Sequence, residues 1–111
     1  MISIAGSGTQ AATVGTEHTL GLASLPTGVY ELHVDAAAML AGDTLELALK
    51  EPVIAGGTVR RTAFLSSTGA IAAPEIKIVG PITIREGGSA SLKQTAGTGR
   101  SYPWELRQVG G

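Results

Sequence analysis

Along most of the chain, apolar and polar residues alternate with a period of two. In "GVYELHVDA" Tyr30, Leu32 and Val34 alternate with Glu31, His33 and Asp35; in "DTLELALKE" Leu45, Leu47 and Leu49 alternate with Glu46, Ala48 and Lys50. Successive side chains of a strand point to opposite faces, so each segment predicts a half-buried antiparallel strand. Strand-like runs follow at 57–67, 74–80, 81–86, 89–96 and 101–109, with Ile76 and Ile78 flanking Lys77 in one and Ile82 and Ile84 sharing a face in the next. Turn residues separate them at Pro26-Thr27-Gly28, Ala41-Gly42-Asp43, Gly56-Gly57, Thr68-Gly69, Gly87-Gly88 and Gly97–Gly99. Turns spaced this regularly belong to a sandwich or barrel. Only "DAAAMLAGD" (35–43) suits a helical turn, and it is too short to stand alone. The expected fold is all-β: an antiparallel β-sandwich, jelly-roll-like, of about eight strands.

Residues 1–16, "MISIAGSGTQAATVGT", break the pattern: they carry no charge, several glycines and weak alternation. They read as an N-terminal arm or edge strand, the arm being a segment that orders on a neighbouring subunit. Residues 17–111 then form the sandwich, and the chain length suits one domain.

Composition adds two constraints. Aromatic residues are only 4% of the chain, so Ala, Val, Ile and Leu must fill the interior. Small side chains each bury little area, at about 25 cal/mol per Å², so such a core gains from an oligomer or a larger surface to sit on. Charged residues are 15%, against about 25% in typical domains, which favours contact with other subunits. The net charge of −1 and the lack of a basic block argue against nucleic acid as a partner. No cysteine is present for disulfides, thiolate metal sites or a thiol nucleophile. No run approaches the ~20 apolar residues of a membrane span, and the start "MISIAG" lacks the features of a signal peptide. The expectation is a soluble product of the cytoplasm.

Candidate chemistry is sparse. "GSGTQA" (6–11) resembles the G-x-G-x-x-G/A dinucleotide fingerprint, but the following "ATVGTEHTLG" has no helical period to aim at a pyrophosphate. "AGTGRS" has Arg100-Ser101 where a Walker loop needs Lys-Ser/Thr, so the loop reads as a hairpin connection between the last two strands. His33 and Asp35 share a strand face, and Glu17-His18 would join them only if that strand paired alongside. One pair falls short of the three or four ligands of a zinc site. Asp35, Asp43, Glu46, Glu51, Glu75, Glu86 and Glu105 are scattered, with no facing pair for acid–base work and no nucleophile elbow. No catalytic, cofactor-binding or metal-binding residue is assigned, and an enzyme is not expected.

The last strand places Tyr102, Trp104 and Leu106 on one face, with Pro103, Glu105 and Arg107 opposite. Pro103 lacks a ladder donor, which suggests an edge strand or a strand start. Arg100, Tyr102 and Trp104 are the interface candidates, being residue types enriched at hot spots; the alternative for Tyr102 and Trp104 is to plug one end of the core.

The segments "AGDTLELALKEPVIAGGTVRRTAFL" and "ASLKQTAGTGRSYPWELRQV" resemble a group of small proteins encoded by tailed bacteriophages and prophages. Those proteins commonly end in a K-Q-T-x-G-T-G-R-x-(F/Y)-P-W block, here Lys93 to Trp104, and the similarity covers roughly residues 16 to 109. The resemblance implies a virion-associated structural role and carries no catalytic residues. The expected function is a capsid decoration (cement) protein, a homotrimer partnered by the major capsid protein, without cofactor, in virions assembled in the bacterial cytoplasm. The alternative is a host-surface or glycan-binding module of a head fibre or tail, or a tail or neck component.

Overall fold

A computed structural model describes residues 2–69 and 75–111. The described elements are β1 (Ser3–Ala11), β2 (Glu17–Leu25), β3 (Gly28–Asp35), β4 (Thr44–Glu51), β5 (Arg60–Thr68), β6 (Ile76–Ile84), β7 (Gly88–Ala96) and β8 (Ser101–Gly110). They form two four-stranded sheets of order β1-β8-β3-β6 and β2-β7-β4-β5. Every pairing is antiparallel.

The pairing explains the order. From the β4–β5 hairpin the chain doubles back as one long ribbon, β4 against β5, β3 against β6, β2 against β7 and β1 against β8. The ribbon then wraps on itself so that β8 meets β3 and β7 meets β4. That is the jelly roll, and it buries one face of each sheet against the other.

The alternating residues go where their pattern sends them. Tyr30, Leu32 and Val34 of β3 and Leu45, Leu47 and Leu49 of β4 are buried between the sheets. Leu20, Leu25, Ile84, Leu92, Tyr102 and Leu106 complete the interior with Met39. Leucine and two tyrosines fill a core poor in aromatics, while Phe64 lies outside at 45% exposure.

Four expectations change. The runs at 74–80 and 81–86 are one strand, β6, for all of its described length; Pro74 lies outside the described residues. Its register shifts opposite Tyr30 and Leu32, around Gly80 with φ of 101°. The extra residue inverts the inward parity, so Val79 and Ile84 are buried whereas Ile76 and Ile78 face solvent. Residues 36–43 form two successive turns, closed by Met39 N–H to Ala36 O and Asp43 N–H to Leu40 O, each 3.1 Å, and no helix. Strand β8 lies between β1 and β3, so Pro103 is not on an edge strand; it sits one residue before the Val34–Trp104 pair, where pairing with β3 begins. Finally, β7 and β8 belong to opposite sheets, so Gly97–Gly99 is a crossing loop and not a hairpin. Residues 3–11 form β1, paired with β8 as the outer strand of its sheet.

Candidate functional site

The crossing loop after β7 closes over a buried carboxylate. Asp43 is 0% exposed, at the end of the turns that lead into β4. Its Oδ2 accepts from the Leu40 N–H at 2.9 Å and from Arg100 Nε at 3.0 Å, while Oδ1 accepts from the Thr98 N–H at 3.1 Å. Its own carbonyl accepts the Gly69 N–H at 2.8 Å. The backbone bond from Leu40 holds the carboxyl below the usual aspartate range, against the opposing effect of burial and with help from Arg100 and Thr98. The loop can approach because Gly97 has no Cβ: one built there would overlap the carboxylate, and φ is +89°.

Gln94, also 0% exposed, ties the same loop from the other side. Its Nε2 donates to Ala96 O (3.0 Å) and Thr98 O (2.6 Å), and its Oε1 accepts from the Arg100 N–H (3.3 Å) and the Tyr102 hydroxyl (3.2 Å). Tyr102 is fully buried, and burial followed by the charge of Asp43 raises its phenol above the ordinary tyrosine value. The glycine loop is therefore an anion cradle whose anion is a side chain of the same chain. Of the three interface candidates, Tyr102 is core and Arg100 is ion-paired to Asp43 with its side chain 27% exposed.

Trp104 is half-buried and packs against the core. One side of its ring lies along three glycines: Cβ atoms built on Gly6, Gly8 and Gly21 would lie 3.2, 3.6 and 3.4 Å from the indole. The glycines of "GSGTQA" thus stand in β1, opposite Trp104 and Leu106 in β8, and admit a large ring between β1 and β2. The motif that resembled a dinucleotide fingerprint is a socket for tryptophan.

The histidines do not converge. His33 Nε2 lies 2.9 Å from Glu31 Oε1 on β3, and His18 is on β2 of the other sheet, its Nε2 accepting the Thr13 N–H at 3.1 Å. No group of three or more His, Cys, Asp or Glu residues with metal-site geometry occurs among the described residues. His33, Asp35, Ile76, Pro103, Trp104, Glu105 and Arg107 line a shallow hollow of about 200 Å³ on the outside of their sheet.

The outer side of the β2-β7-β4-β5 sheet is different. Glu17, Glu46, Lys50, Val59, Arg60, Arg61 and Lys93 line an open basin of about 650 Å³. Lys50 Nζ donates to Glu17 Oε1 at 2.6 Å, and this bond holds the Glu17 carboxyl below its ordinary range; burial opposes it and the Ser91 hydroxyl assists. The Arg61 guanidinium lies 4.3 Å from the centroid of the Phe64 ring. The sequence reading did not single out this basin, because its charges come from β2, β4, β5 and β7 and no run of them is basic. The "RR" at 60–61 was its one local signal.

No family model, curated protein or solved structure matches the chain.

Proposed function

We propose that the chain is a non-enzymatic structural protein of a tailed-phage virion, a capsid decoration protein that stabilises the head. The observation that carries this reading is the Lys93–Trp104 block, where the resemblance to phage-encoded proteins is concentrated. Gln94, Gly97, Thr98, Arg100, Tyr102 and Trp104 of that block are all engaged in holding the two sheets and their crossing loop together. A signature spent on internal bonds supports a structural part more than a catalytic one. The eight-stranded jelly roll supports the reading in a weaker way, being an architecture of viral capsid proteins that lectins and cupins share.

In this role the protein acts mechanically, as a homotrimer on the major capsid protein. Area buried across junctions between capsid subunits is lost when the shell opens, so bound copies raise the temperature of opening. The glycan-binding alternative rests on Trp104 alone, since Tyr102 is buried; Trp104 is half-buried and lines the hollow beside His33 and Asp35, but its ring lies against Gly6, Gly8 and Gly21. Particles lacking the protein should release DNA at a lower temperature in a dye-accessibility melt, with release restored by adding the purified chain. Unchanged release would count against the proposal.

A further inference from the structure

Charge is unevenly distributed over the molecule. The basin on the β2-β7-β4-β5 sheet gathers four of the eight Lys and Arg residues, Lys50, Arg60, Arg61 and Lys93, against the two carboxylates Glu17 and Glu46. That is an excess of two positive charges in a chain of net charge −1, so the remainder carries −3. Within the basin Glu17 pairs with Lys50, and the register sets Lys93 between Glu17 and Glu46 on neighbouring strands. The excess therefore lies on Arg60 and Arg61; Arg60 stands opposite Glu51 in the register, where the Glu51 carboxylate accepts the Arg85 N–H, and neither arginine is ion-paired among the described residues. Elsewhere Lys77, Arg100 and Arg107 each have a carboxylate partner, and Arg85 has none among the described residues.

The surroundings of these arginines suit a protein contact. Arg61 lies over Phe64, which holds a guanidinium in place without neutralising it and leaves its edge donors free. Phe64 and Val59 are 45% and 44% exposed beside it. An aromatic ring, an aliphatic side chain and unpaired guanidinium groups are a hot-spot composition.

We infer that this face is the docking surface of the protein, and that its occupant is a carboxylate-rich patch on the outer surface of the capsid shell. The inference rests on the decoration reading. A nucleic-acid backbone is a poorer occupant, because a continuous line of phosphates would meet Glu17 and Glu46 in the same basin; a protein surface supplies carboxylates for the arginines while leaving those two uncrowded. The competing role for Arg60 and Arg61 is to blunt β5, an outer strand of its sheet, against pairing with another chain. Charge reversal separates the two roles, since glutamate protects an edge as well as arginine does but repels an acidic partner.

The test uses shells assembled without the protein, to which the full chain is added and sedimented with them. Wild type should bind in about 0.05 M NaCl and about tenfold or more weakly in about 0.5 M. R60E/R61E should bind at least about tenfold more weakly than wild type at low salt. R85E, outside the basin, should bind as wild type does, and both variants should keep the wild-type melting temperature and elution volume. Equal binding by R60E/R61E and wild type overturns the docking face while the decoration reading stands. Wild-type binding by R60E/R61E together with self-association of R60A/R61A overturns it in favour of edge protection. Wild type that fails to bind shells at any salt removes the decoration reading and this inference with it.

Discussion

Replacing Asp43 by alanine or asparagine should separate charge from shape at the crossing loop. Alanine strands the Leu40 and Thr98 N–H groups and deprives Arg100 of its partner. A hydrogen bond to a charged group is worth about 1.5–3 kcal/mol. The two backbone donors are taken at the low end because the loop lies close to solvent. Arg100 is credited with under about 1 kcal/mol because its side chain stays partly in water. D43A should therefore cost about 3–4 kcal/mol. Asparagine preserves the volume, yet all three partners of the carboxylate are donors, so in either orientation the amide NH₂ faces at least one N–H. D43N should cost about 2 kcal/mol or more. For a urea m-value of about 2 kcal/mol/M, the midpoint falls by roughly 1.5–2 M for D43A and about 1 M for D43N. The folded-state carboxyl titrates below its unfolded value, so its stabilisation is complete above about pH 4 and is lost as pH falls through the folded value. D43N should accordingly lose less stability than wild type between pH 5 and the acid transition. Urea curves at neutral and acid pH read both effects; a D43N midpoint within about 0.25 M of wild type, or about 0.5 kcal/mol, would refute the reasoning.

The tryptophan socket predicts a graded response to added methyl groups. G6A brings a Cβ to 3.2 Å from the indole and should destabilise and shift the emission of the chain's one tryptophan, whereas G8A, at 3.6 Å, should leave the emission unchanged. Equal spectra for both variants would contradict the packing. At the alkaline end, burial raises the phenol of Tyr30, whose hydroxyl donates to Pro26 O at 2.7 Å, and that of Tyr102. A raised folded value means stability is complete below the unfolded value of about 10 and is lost as pH rises through the folded one. Thermal melts should therefore fall above about pH 10, less steeply in Y102F than in wild type; identical slopes would remove Tyr102 from the account.

Strand existence was legible because one face of each strand is buried and a period of two records it, as at Tyr30, Leu32 and Val34. The jelly-roll expectation also holds, although the order of strands rests on pairings such as Ser3 with Gln108, which no local window contains. Parity failed at β6, where one extra residue near Gly80 turns Ile76 and Ile78 outward and makes two apparent strands of one. The glycine loop was visible as a loop, but its purpose was not. Its ligand, Asp43, is 57 positions from Arg100, and in sequence it looked like any turn aspartate. Likewise Gly6 and Gly8 acquire meaning only once β1 lies beside Trp104. Features set by long-range pairing leave no spacing to read.

The central claim, that this chain is a decoration protein of a phage head, is tested most directly by its copy number in purified virions. Quantitative mass spectrometry against the major capsid protein should find it in a fixed ratio to the shell subunits, as a protein repeated over the whole lattice must be. A few copies per particle would place it in the tail, neck or a fibre instead, and its absence from virions would contradict the account outright.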